Sequence, residues 1–436
     1  MKPRALHYLV SDMKIKTKTA DYTSVYGAKR PKHRRPRKPN IFFRILIRLL
    51  SIPELIATRF SYTSERMEQA GKGPYFILMN HSCFLDLKIA YKIFFPLPFC
   101  VVCTSDGFVG KEWLMRSIGS IPAQKFVTDI TLLGDILYTV NKLKTSILMY
   151  PEASYSFDGC PTPLQRGLGK LIKKLDIPVV TVITDGAFLH NPLYNCLRQR
   201  KTKVSAEVKC LLTLEEVRSH SAEEIEALLD KTFSFDAFAS QYEKGTQITE
   251  DFRADGLERI LYRCPSCNFE GAHKGEGITL TCKNCGKSYE LTTLGRLEAK
   301  DGNAQFPHIP DWYSWQRDCV HSEIASGNYL MDMEVDIAVM TDFKAIYKVG
   351  EGRLVHDING FRLTGCDGKL EYTQGPLSCY GLYADYYWYE IGDVICIGNK
   401  QILYYCFPKN GEPVAKARLA TEELYKITKS QTSKKQ

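Results

Sequence analysis

The chain lacks an apolar segment long enough to cross a bilayer. Its most apolar run, residues 41–52, contains Arg44 and Arg48 and is followed directly by Pro53 and Glu54, whereas a membrane-spanning helix needs about twenty apolar residues. The first residues also lack the apolar core and small-residue cleavage site of a secretory signal peptide. These absences predict a protein that neither spans a membrane nor enters the secretory route.

The chain also has little net charge outside its first forty residues. The total is +9, and residues 1–40 alone hold twelve Lys/Arg and two Asp, so the remainder is close to −1. Such a basic segment has little to pack and is predicted to be a disordered tail. The run 41–52 that follows predicts an interfacial amphipathic helix, with the tail attracted to anionic lipid. The alternative is a buried helix. We therefore expect a cytoplasmic protein, peripheral on the inner, cytosolic face of a membrane.

The stretch from Asn80 to Asp86 is the clearest sign of chemistry. It follows the apolar run 75–79, which predicts a buried strand, and precedes a segment that predicts a helix. In open α/β sheets, ligands bind outside the carboxyl ends of strands. His81 lies at such an end, and with Asp86 in reach it can act as an oriented general base. The simpler alternative is a solvated or capping pair.

A second motif, Tyr150–Ser156, also follows a short apolar run. Strand-like segments alternate with helical ones through this region, at 99–103, 128–143, 146–149 and 177–183. This alternation predicts βαβ units and a mostly parallel sheet. On such a sheet His81 and Glu152 would line the same rim.

Three cations, Lys125, Arg166 and Lys170, lie close to glycines in the sequence. Each by itself is typical of a solvated surface. Together they predict a pocket for a phosphate-bearing substrate, because cations pair with phosphate and glycine allows its close approach.

The region from about residue 40 to 245 resembles the glycerolipid acyltransferase family, which includes lysophosphatidic acid acyltransferases. Four motifs match in order. His81 and Asp86 match the His-x4-Asp motif, residues 119–125 the acceptor-binding motif, residues 150–155 the Phe-Pro-Glu-Gly-Thr-Arg motif, and residues 177–182 the last apolar motif. The order and spacing make the resemblance specific.

The chain departs from the family pattern in the acceptor motifs. Lys125 stands where the family has Arg, Pro122 replaces its Phe, Ala153 and Ser154 replace Gly-Thr, and Tyr155 replaces the second Arg. Lysine keeps the charge but loses the bidentate fork of arginine. The catalytic pair is intact, so the resemblance implies acyl transfer but leaves the acceptor open.

The resemblance implies a membrane-associated O-acyltransferase of phospholipid biosynthesis. The acyl donor would be a thioester, either acyl-CoA or acyl carrier protein, and the acceptor a hydroxyl of a lysophospholipid such as lysophosphatidic acid. His81 would be the general base and Asp86 would orient it. The expected substrate-binding residues are Lys125, Glu152, Ser154, Arg166 and Lys170.

The fifteen cysteines are mostly scattered in apolar runs, but two pairs form knuckles. Cys264 and Cys267 make one Cys-x2-Cys, and Cys282 and Cys285 make the second, with fourteen residues between the pairs. This spacing predicts a four-thiolate zinc ribbon whose metal is structural. A rubredoxin-like iron site uses the same ligands and is the alternative.

From about residue 305 the pattern changes to short aromatic and β-branched segments with turn signals. We predict an α/β fold with a mostly parallel central sheet flanked by helices, plus a zinc ribbon and a small all-β C-terminal domain, a sandwich or barrel. The predicted boundaries are a basic tail over 1–40, the acyltransferase domain with its interfacial helix over 41–245, the ribbon over 258–295 and the β-rich domain over 305–430.

Two other classes of function compete with this interpretation. One is an acyltransferase-like domain that binds lipid without turnover, which the change at Tyr155 favours. The other is a nucleic-acid-associated zinc ribbon protein with a basic tail. The ribbon is not unusually basic and its cations are not interleaved with aromatic residues, so no nucleic-acid partner is expected.

Overall fold

The computed structural model describes residues 14–127 and 129–435. The chain divides into two compact units. The α/β unit comprises Arg34–Cys103 and Trp113–Val320. The β-rich unit comprises the described residues within Met1–His33, Thr104–Glu112 and His321–Gln436. Strand β1 (Thr17–Thr19) and helix α1 (Tyr22–Tyr26) open the described chain and belong to the β-rich unit.

The α/β unit alternates strands and helices through most of its length. Its first part contains α2 (Ile41–Ala57), β2 (Ser61–Glu65), β3 (Phe76–Met79), α3 (Leu85–Phe94), β4 (Phe99–Thr104), α4 (Glu112–Ser117), β5 (Ser120–Ala123), α5 (Ile130–Asn141) and β6 (Ser146–Met149). Its second part contains α6 (Leu168–Leu175), β7 (Val179–Asp185), α7 (Ala187–His190), β8 (Ser205–Leu212), α8 (Leu214–Ser219), α9 (Ala222–Thr232) and α10 (Ala237–Glu243).

These strands form one seven-stranded sheet in the order β2-β8-β7-β3-β6-β4-β5. Strand β3 lies at its centre and pairs in parallel with both β6 and β7, while β7 and β8 are antiparallel. The mostly parallel α/β sheet expected from the sequence is therefore confirmed. It brings the carboxyl ends of β3 and β6 to the same edge.

The sheet is buried on both faces, as helices on both sides require. Each of the four residues of β3 is fully buried, and they alternate between two cores. Ile77 and Met79 pack into one core and Phe76 and Leu78 into the other. Among the described residues, no helix combines the length and the hydropathy that crossing a bilayer requires.

The cysteine knuckles belong to a small antiparallel sheet near the end of the α/β unit. Its strands are β9 (His273–Glu276), β10 (Thr279–Cys282), β11 (Ser288–Leu291) and β12 (Leu297–Ala299), in the order β12-β11-β10-β9. Alternate residues of its strands are buried, and the buried apolar side chains include Leu280, Tyr289 and Leu297. Helix α11 (Ile309–Ala325) follows it and includes residues of both units.

The β-rich unit is built on one eight-stranded sheet, rather than on the two sheets of a sandwich. Its further strands are β13 (Leu330–Met340), β14 (Ile346–Asp357), β15 (Gly360–Gly365), β16 (Leu370–Gln374), β17 (Tyr383–Trp388), β18 (Gly392–Gly398) and β19 (Leu403–Pro408), and the unit ends with helix α12 (Val414–Lys435). The strands confirm the β-rich region expected from the sequence. Helix α12, which packs against β17 and β18, was not expected.

Residues 14–33 differ from the disordered tail expected over 1–40. Strand β1 pairs in parallel with Ile346–Lys348 at the start of β14, and Ile15, Tyr22 and Val25 are buried within the β-rich unit. These apolar side chains pack into the β-rich unit, although the basic composition of the segment predicted disorder. Residues 1–13 of the expected tail lie outside the described residues.

Residues 104–112 are also part of the β-rich unit, although they lie inside the expected acyltransferase domain. Buried Asp106 accepts hydrogen bonds from the Tyr383 hydroxyl and from Nε1 of Trp388. The Gly110 amide donates to the carbonyl of Phe343 at 2.8 Å. These partners are more than two hundred residues away in sequence, so local patterns could not reveal them.

A buried histidine should make the β-rich unit sensitive to acid. His356 is buried, lies 2.8 Å from the Tyr329 hydroxyl through Nδ1, and burial lowers its pKa to about 3. Below about pH 6.5 the unfolded chain binds a proton at His356 that the folded chain does not bind. The free energy of unfolding therefore decreases by about 1.4 kcal/mol for each unit by which the pH is lowered, until the pH approaches 3.

This prediction is checked by measuring the free energy of unfolding between pH 7 and 4. His356→Gln should flatten the pH dependence by roughly one proton. Equal slopes in the wild type and in His356→Gln would contradict it.

Candidate active site

The residue expected to be the general base follows the central strand β3. Asn80 fixes this strand end to β7, because its Oδ1 accepts from the backbone amide of Thr184 at 2.8 Å and its Nδ2 donates to the Thr184 carbonyl at 3.1 Å. His81 comes next, and its side chain is 20% exposed. The geometry places the imidazole at the carboxyl edge of the sheet.

Asp86 holds both the imidazole and the turn that carries it. Its Oδ2 lies 3.1 Å from His81 Nδ1 and accepts from the backbone amides of Ser82 at 2.7 Å and Cys83 at 3.0 Å. Asp86 is fully buried in the first turn of α3. A carboxylate at Nδ1 selects the tautomer with the proton there, which leaves Nε2 as the basic nitrogen.

The surroundings keep this imidazole neutral. Burial lowers the pKa of His81 below its ordinary value of 6.5, Asp86 opposes the shift, and the positive charge of Lys125 adds to it. A histidine with a pKa below neutrality is unprotonated at pH 7 and can accept a proton. His81 and Asp86 therefore have the geometry and the charge state of a base and its orienting carboxylate.

Two tyrosine rings contact the imidazole. Tyr155 was noted from the sequence as the residue in place of the second arginine of the acceptor motif, whereas Tyr150 was assigned no role. The Tyr150 ring is stacked on His81 with centroids 3.8 Å apart, and the Tyr155 ring is tilted at 4.3 Å. The register explains the first contact, because Leu78 of β3 pairs with Met149 of β6 and Tyr150 follows immediately. The sequence signal that could have predicted this contact is the pair of apolar runs that form β3 and β6, because these strands pair in parallel.

Glu152 and Ser154, which were expected to bind substrate, are buried at 0% and 1% exposure. Glu152 accepts from the backbone amide of His81 at 3.2 Å and from that of Thr162 at 3.0 Å. Glu152 thus connects the loop after β6 to the turn that contains His81 by hydrogen bonds. Contact of either side chain with a substrate remains a prediction.

The three expected cations have different surroundings. Arg166 Nη1 lies 2.8 Å from Asp230 and 3.9 Å from Glu226, both on α9. Lys170 is exposed on α6. Lys125 lies two residues after β5, and its positive charge helps to lower the pKa of His81. The structure therefore does not show the three cations assembled around the base.

The packing of α6 against α9 explains the position of Arg166. The two helices approach closely at Gly169, where an added Cβ would lie 2.0 Å from the Ala222 carbonyl oxygen. This contact brings the acidic side chains of α9 next to Arg166. They come some sixty residues later in the chain, which is why the sequence analysis could not pair them.

The four knuckle cysteines converge on one point. Their Sγ atoms all lie within 4.8 Å of one another, with Cys264 and Cys285 3.7 Å apart and Cys267 and Cys282 3.8 Å apart. These distances are too long for disulfides. They match the edge of a tetrahedron of sulfurs about 2.3 Å from a central zinc, which is about 3.8 Å. The cluster fits a four-thiolate metal site.

Comparison with known proteins supports a family for part of the chain. Residues 59–185 match the family model described as Acyltransferase. The matched segment contains His81, Asp86 and the loop after β6. No curated protein matches the chain significantly in sequence.

Solved structures that resemble the chain include the 1-acyl-sn-glycerophosphate (LPA) acyltransferase PlsC of Thermotoga maritima. The two are 16% identical, the match covers 44% of this chain and 79% of the other, and the TM-score is 0.31. A TM-score of this size is too low to support an argument about substrate or mechanism.

Proposed function

We propose that the chain is an O-acyltransferase that moves a fatty acyl group from a thioester to a hydroxyl of a lysophospholipid at a membrane surface, in phospholipid biosynthesis. The donor is acyl-CoA or acyl carrier protein, and lysophosphatidic acid is the acceptor suggested by the family resemblance. The observation that carries the proposal is the 3.1 Å contact of His81 Nδ1 with Asp86 within the matched segment.

The dyad suits a direct transfer that needs no protein nucleophile. Nε2 of His81 takes the proton of the acceptor hydroxyl while the acceptor oxygen attacks the thioester carbonyl. The carbon–oxygen bond forms, the carbon–sulfur bond breaks, and the departing thiolate takes the proton back from the imidazolium. Buried Asp86 stabilises the imidazolium and holds the ring in place throughout.

The direct test is an assay of the purified full chain with labelled acyl-CoA and labelled acyl-acyl carrier protein against a panel of lyso-lipids. We expect a labelled diacyl lipid that forms in proportion to enzyme and acceptor. Vesicle binding without transfer from either donor would replace the proposal with a lipid-binding role.

A membrane-surface location rests on helix α2. The outward side of this helix is apolar along its whole length. The exposed residues are Ile41, Phe42, Ile45, Leu46, Leu49, Leu50, Ile52 and Ile56. Arg44 and Arg48 lie instead on the half-buried side, where Arg44 donates to the Pro96 carbonyl.

Exposed apolar surface of this extent marks an interaction site. A lipid surface suits it, because exposed basic residues such as Lys32, Arg37 and Lys38 precede the helix and would be attracted to anionic headgroups. We propose that the chain binds the cytosolic face of a membrane through α2, without spanning it.

Two acidic substitutions on α2 should strongly weaken this binding. We expect Leu49→Glu combined with Ile56→Glu to weaken binding to anionic phospholipid vesicles at least about a hundredfold, because two aliphatic side chains buried in the lipid each contribute about 1.5–3 kcal/mol. Vesicle co-sedimentation measures the effect. The matched control, Leu330→Glu combined with Leu377→Glu at comparably exposed positions of the β-rich unit, should bind like the wild type.

We further propose that Cys264, Cys267, Cys282 and Cys285 hold one structural zinc ion. Four protein ligands would leave no coordination position for a substrate, so the metal would stabilise the small sheet and take no part in acyl transfer.

A further inference from the structure

Helices α2 and α3 pack against each other in antiparallel orientation, which two contacts near their ends establish. Near the start of α2, Arg44 donates to the carbonyl of Pro96, which comes just after α3. In the last turn of α2, Glu54 pairs with Lys88 in the first turn of α3. The end of α2 therefore lies beside the start of α3, which carries Asp86 and follows the dyad turn (residues 81–86).

Glu54 fixes this end of α2 through further contacts. Its Oε1 lies 3.4 Å from Nε2 of buried His190, at the end of α7, and accepts from Nε2 of Gln199 at 3.3 Å. The position of the last turn of α2 is therefore set by α3, by α7 and by the chain that follows α7. The exposed apolar side of α2 has a defined direction relative to the dyad turn.

One apolar side chain of the dyad turn is exposed. Phe84 is 47% exposed, whereas the residues on either side of it in the chain are buried. The ammonium of Lys88 lies 5.6 Å from the centroid of the Phe84 ring. Because the same ammonium pairs with Glu54 of α2, the exposed ring lies beside the last turns of that helix. These turns expose Ile52 and Ile56, so Phe84 continues the apolar side of α2.

The charges of the two helices suit an anionic lipid surface. Both carboxylates of the helix pair have partners within the protein, because Glu54 pairs with Lys88 and Asp86 contacts the His81 imidazole. The cations outnumber these carboxylates and are Arg44, Arg48, Lys88 and Lys92. An apolar side with basic residues around it is typical of segments that lie in the membrane interface.

We propose that Phe84 belongs to the same lipid-binding surface as α2, so that a phospholipid membrane contacts the dyad turn itself and the proposed base takes its acceptor from the membrane plane. This inference rests on the proposed function and deepens it, because it states from where the acceptor reaches His81. Phe84 and Asp86 belong to one short turn, and Asp86 holds the imidazole. A Phe84 ring in the lipid therefore keeps Nε2 of His81 close to the hydroxyls at the membrane surface.

The first measurement follows a tryptophan placed at this position in the full chain. On addition of vesicles of phosphatidylcholine and phosphatidylglycerol, Phe84→Trp should show a shift of emission to shorter wavelength and quenching by lipids brominated near the headgroup. Both effects are measured relative to the wild type, whose four tryptophans give the background. Phe269→Trp, at an exposed phenylalanine of the ribbon, is the matched control and should respond like the wild type.

Two results of this measurement would overturn the inference. One is a Phe84→Trp chain that binds vesicles but responds like the wild type. The other is a shift that appears without lipid and grows with protein concentration, which would assign the surface around Phe84 to contact with a second copy of the chain.

The second measurement compares two presentations of the acceptor. We take the ratio of kcat/KM for long-chain lysophosphatidic acid in these vesicles to that for a short-chain, monomeric form. Phe84→Gln should lower this ratio about tenfold, equivalent to about 1.4 kcal/mol, because it loses the burial of an aromatic ring in lipid. Phe84→Trp should retain the ratio, since tryptophan is favoured at membrane interfaces. Phe269→Gln should retain it as well.

The outcomes separate this inference from the proposed function. Equal losses for both presentations in Phe84→Gln, or an unchanged ratio, would refute the role of Phe84 alone. A wild type that does not bind vesicles would refute the proposed membrane location. A wild type that acylates neither form of the acceptor, nor any other lyso-lipid, would refute the proposed acyl transfer.

Discussion

Replacement of His81 by alanine should lower kcat/KM for acyl transfer by about 10²–10⁴-fold, the contribution of a positioned general base. The variant loses the imidazole whose Nδ1 contacts Asp86, and with it Nε2, the base of the proposed mechanism. Asp86→Asn should also be strongly impaired, since an amide cannot stabilise the imidazolium and can favour the wrong tautomer. Labelled acyl transfer under single-acceptor conditions measures both effects.

Controls separate chemistry from folding. His33→Ala, at an exposed histidine, should keep full activity. Circular dichroism and thermal unfolding of His81→Ala show whether the variant folds like the wild type. Asp86→Asn is the less informative variant for stability, because Asp86 also holds the amides of Ser82 and Cys83. Wild-type activity in a folded His81→Ala would exclude His81 as the base.

Removal of the proposed zinc ion from the cysteine cluster should unfold the small sheet of β9–β12. The sheet has only four short strands, and structural zinc contributes about 10–16 kcal/mol of apparent binding free energy in zinc-finger peptides. We expect about one zinc per purified chain by emission spectrometry. Cys264→Ser or a strong chelator should remove it and make residues 258–295 sensitive to protease.

Cys319→Ser, a half-buried cysteine outside the cluster, is the matched control and should retain both the metal and protease resistance. A chain that contains iron in place of zinc would identify a rubredoxin-like site. A metal-free chain whose ribbon resists protease would show that the cluster is not a metal site.

The competing nucleic-acid function predicts a different result in binding experiments. Salt-dependent binding to DNA without affinity for anionic vesicles would support it, because phosphate contacts release counterions. The apolar outward side of α2 favours vesicles instead.

Several features were predictable because they depend on neighbours in sequence. The apolar runs that became β3, β4, β6 and β7 are buried strands of a mostly parallel sheet. The five-residue spacing of His81 and Asp86 spans one turn at a helix start, so their contact follows from local geometry. The two cysteine pairs likewise form tight knuckles, and these converge as their spacing suggested.

Other features depend on the tertiary structure and could not be predicted from the sequence. Tyr150 reaches His81 only because β6 pairs with β3. Arg166 is paired with acidic residues of α9, and the basic N-terminal stretch contributes a strand to the sheet of the β-rich unit. Each of these depends on which distant segments meet, and composition does not encode that.

The sequence by itself determined the alternation of strands and helices, the acyltransferase motifs and the four thiolates, because their patterns repeat over a few residues. The tertiary structure alone decided what surrounds the base. Strand order set two tyrosine rings against His81, and helix packing paired Arg166 with acidic residues of α9. Charge pairing and ring contact act over a few ångströms in space, so they depend on residues that the chain brings together only by folding.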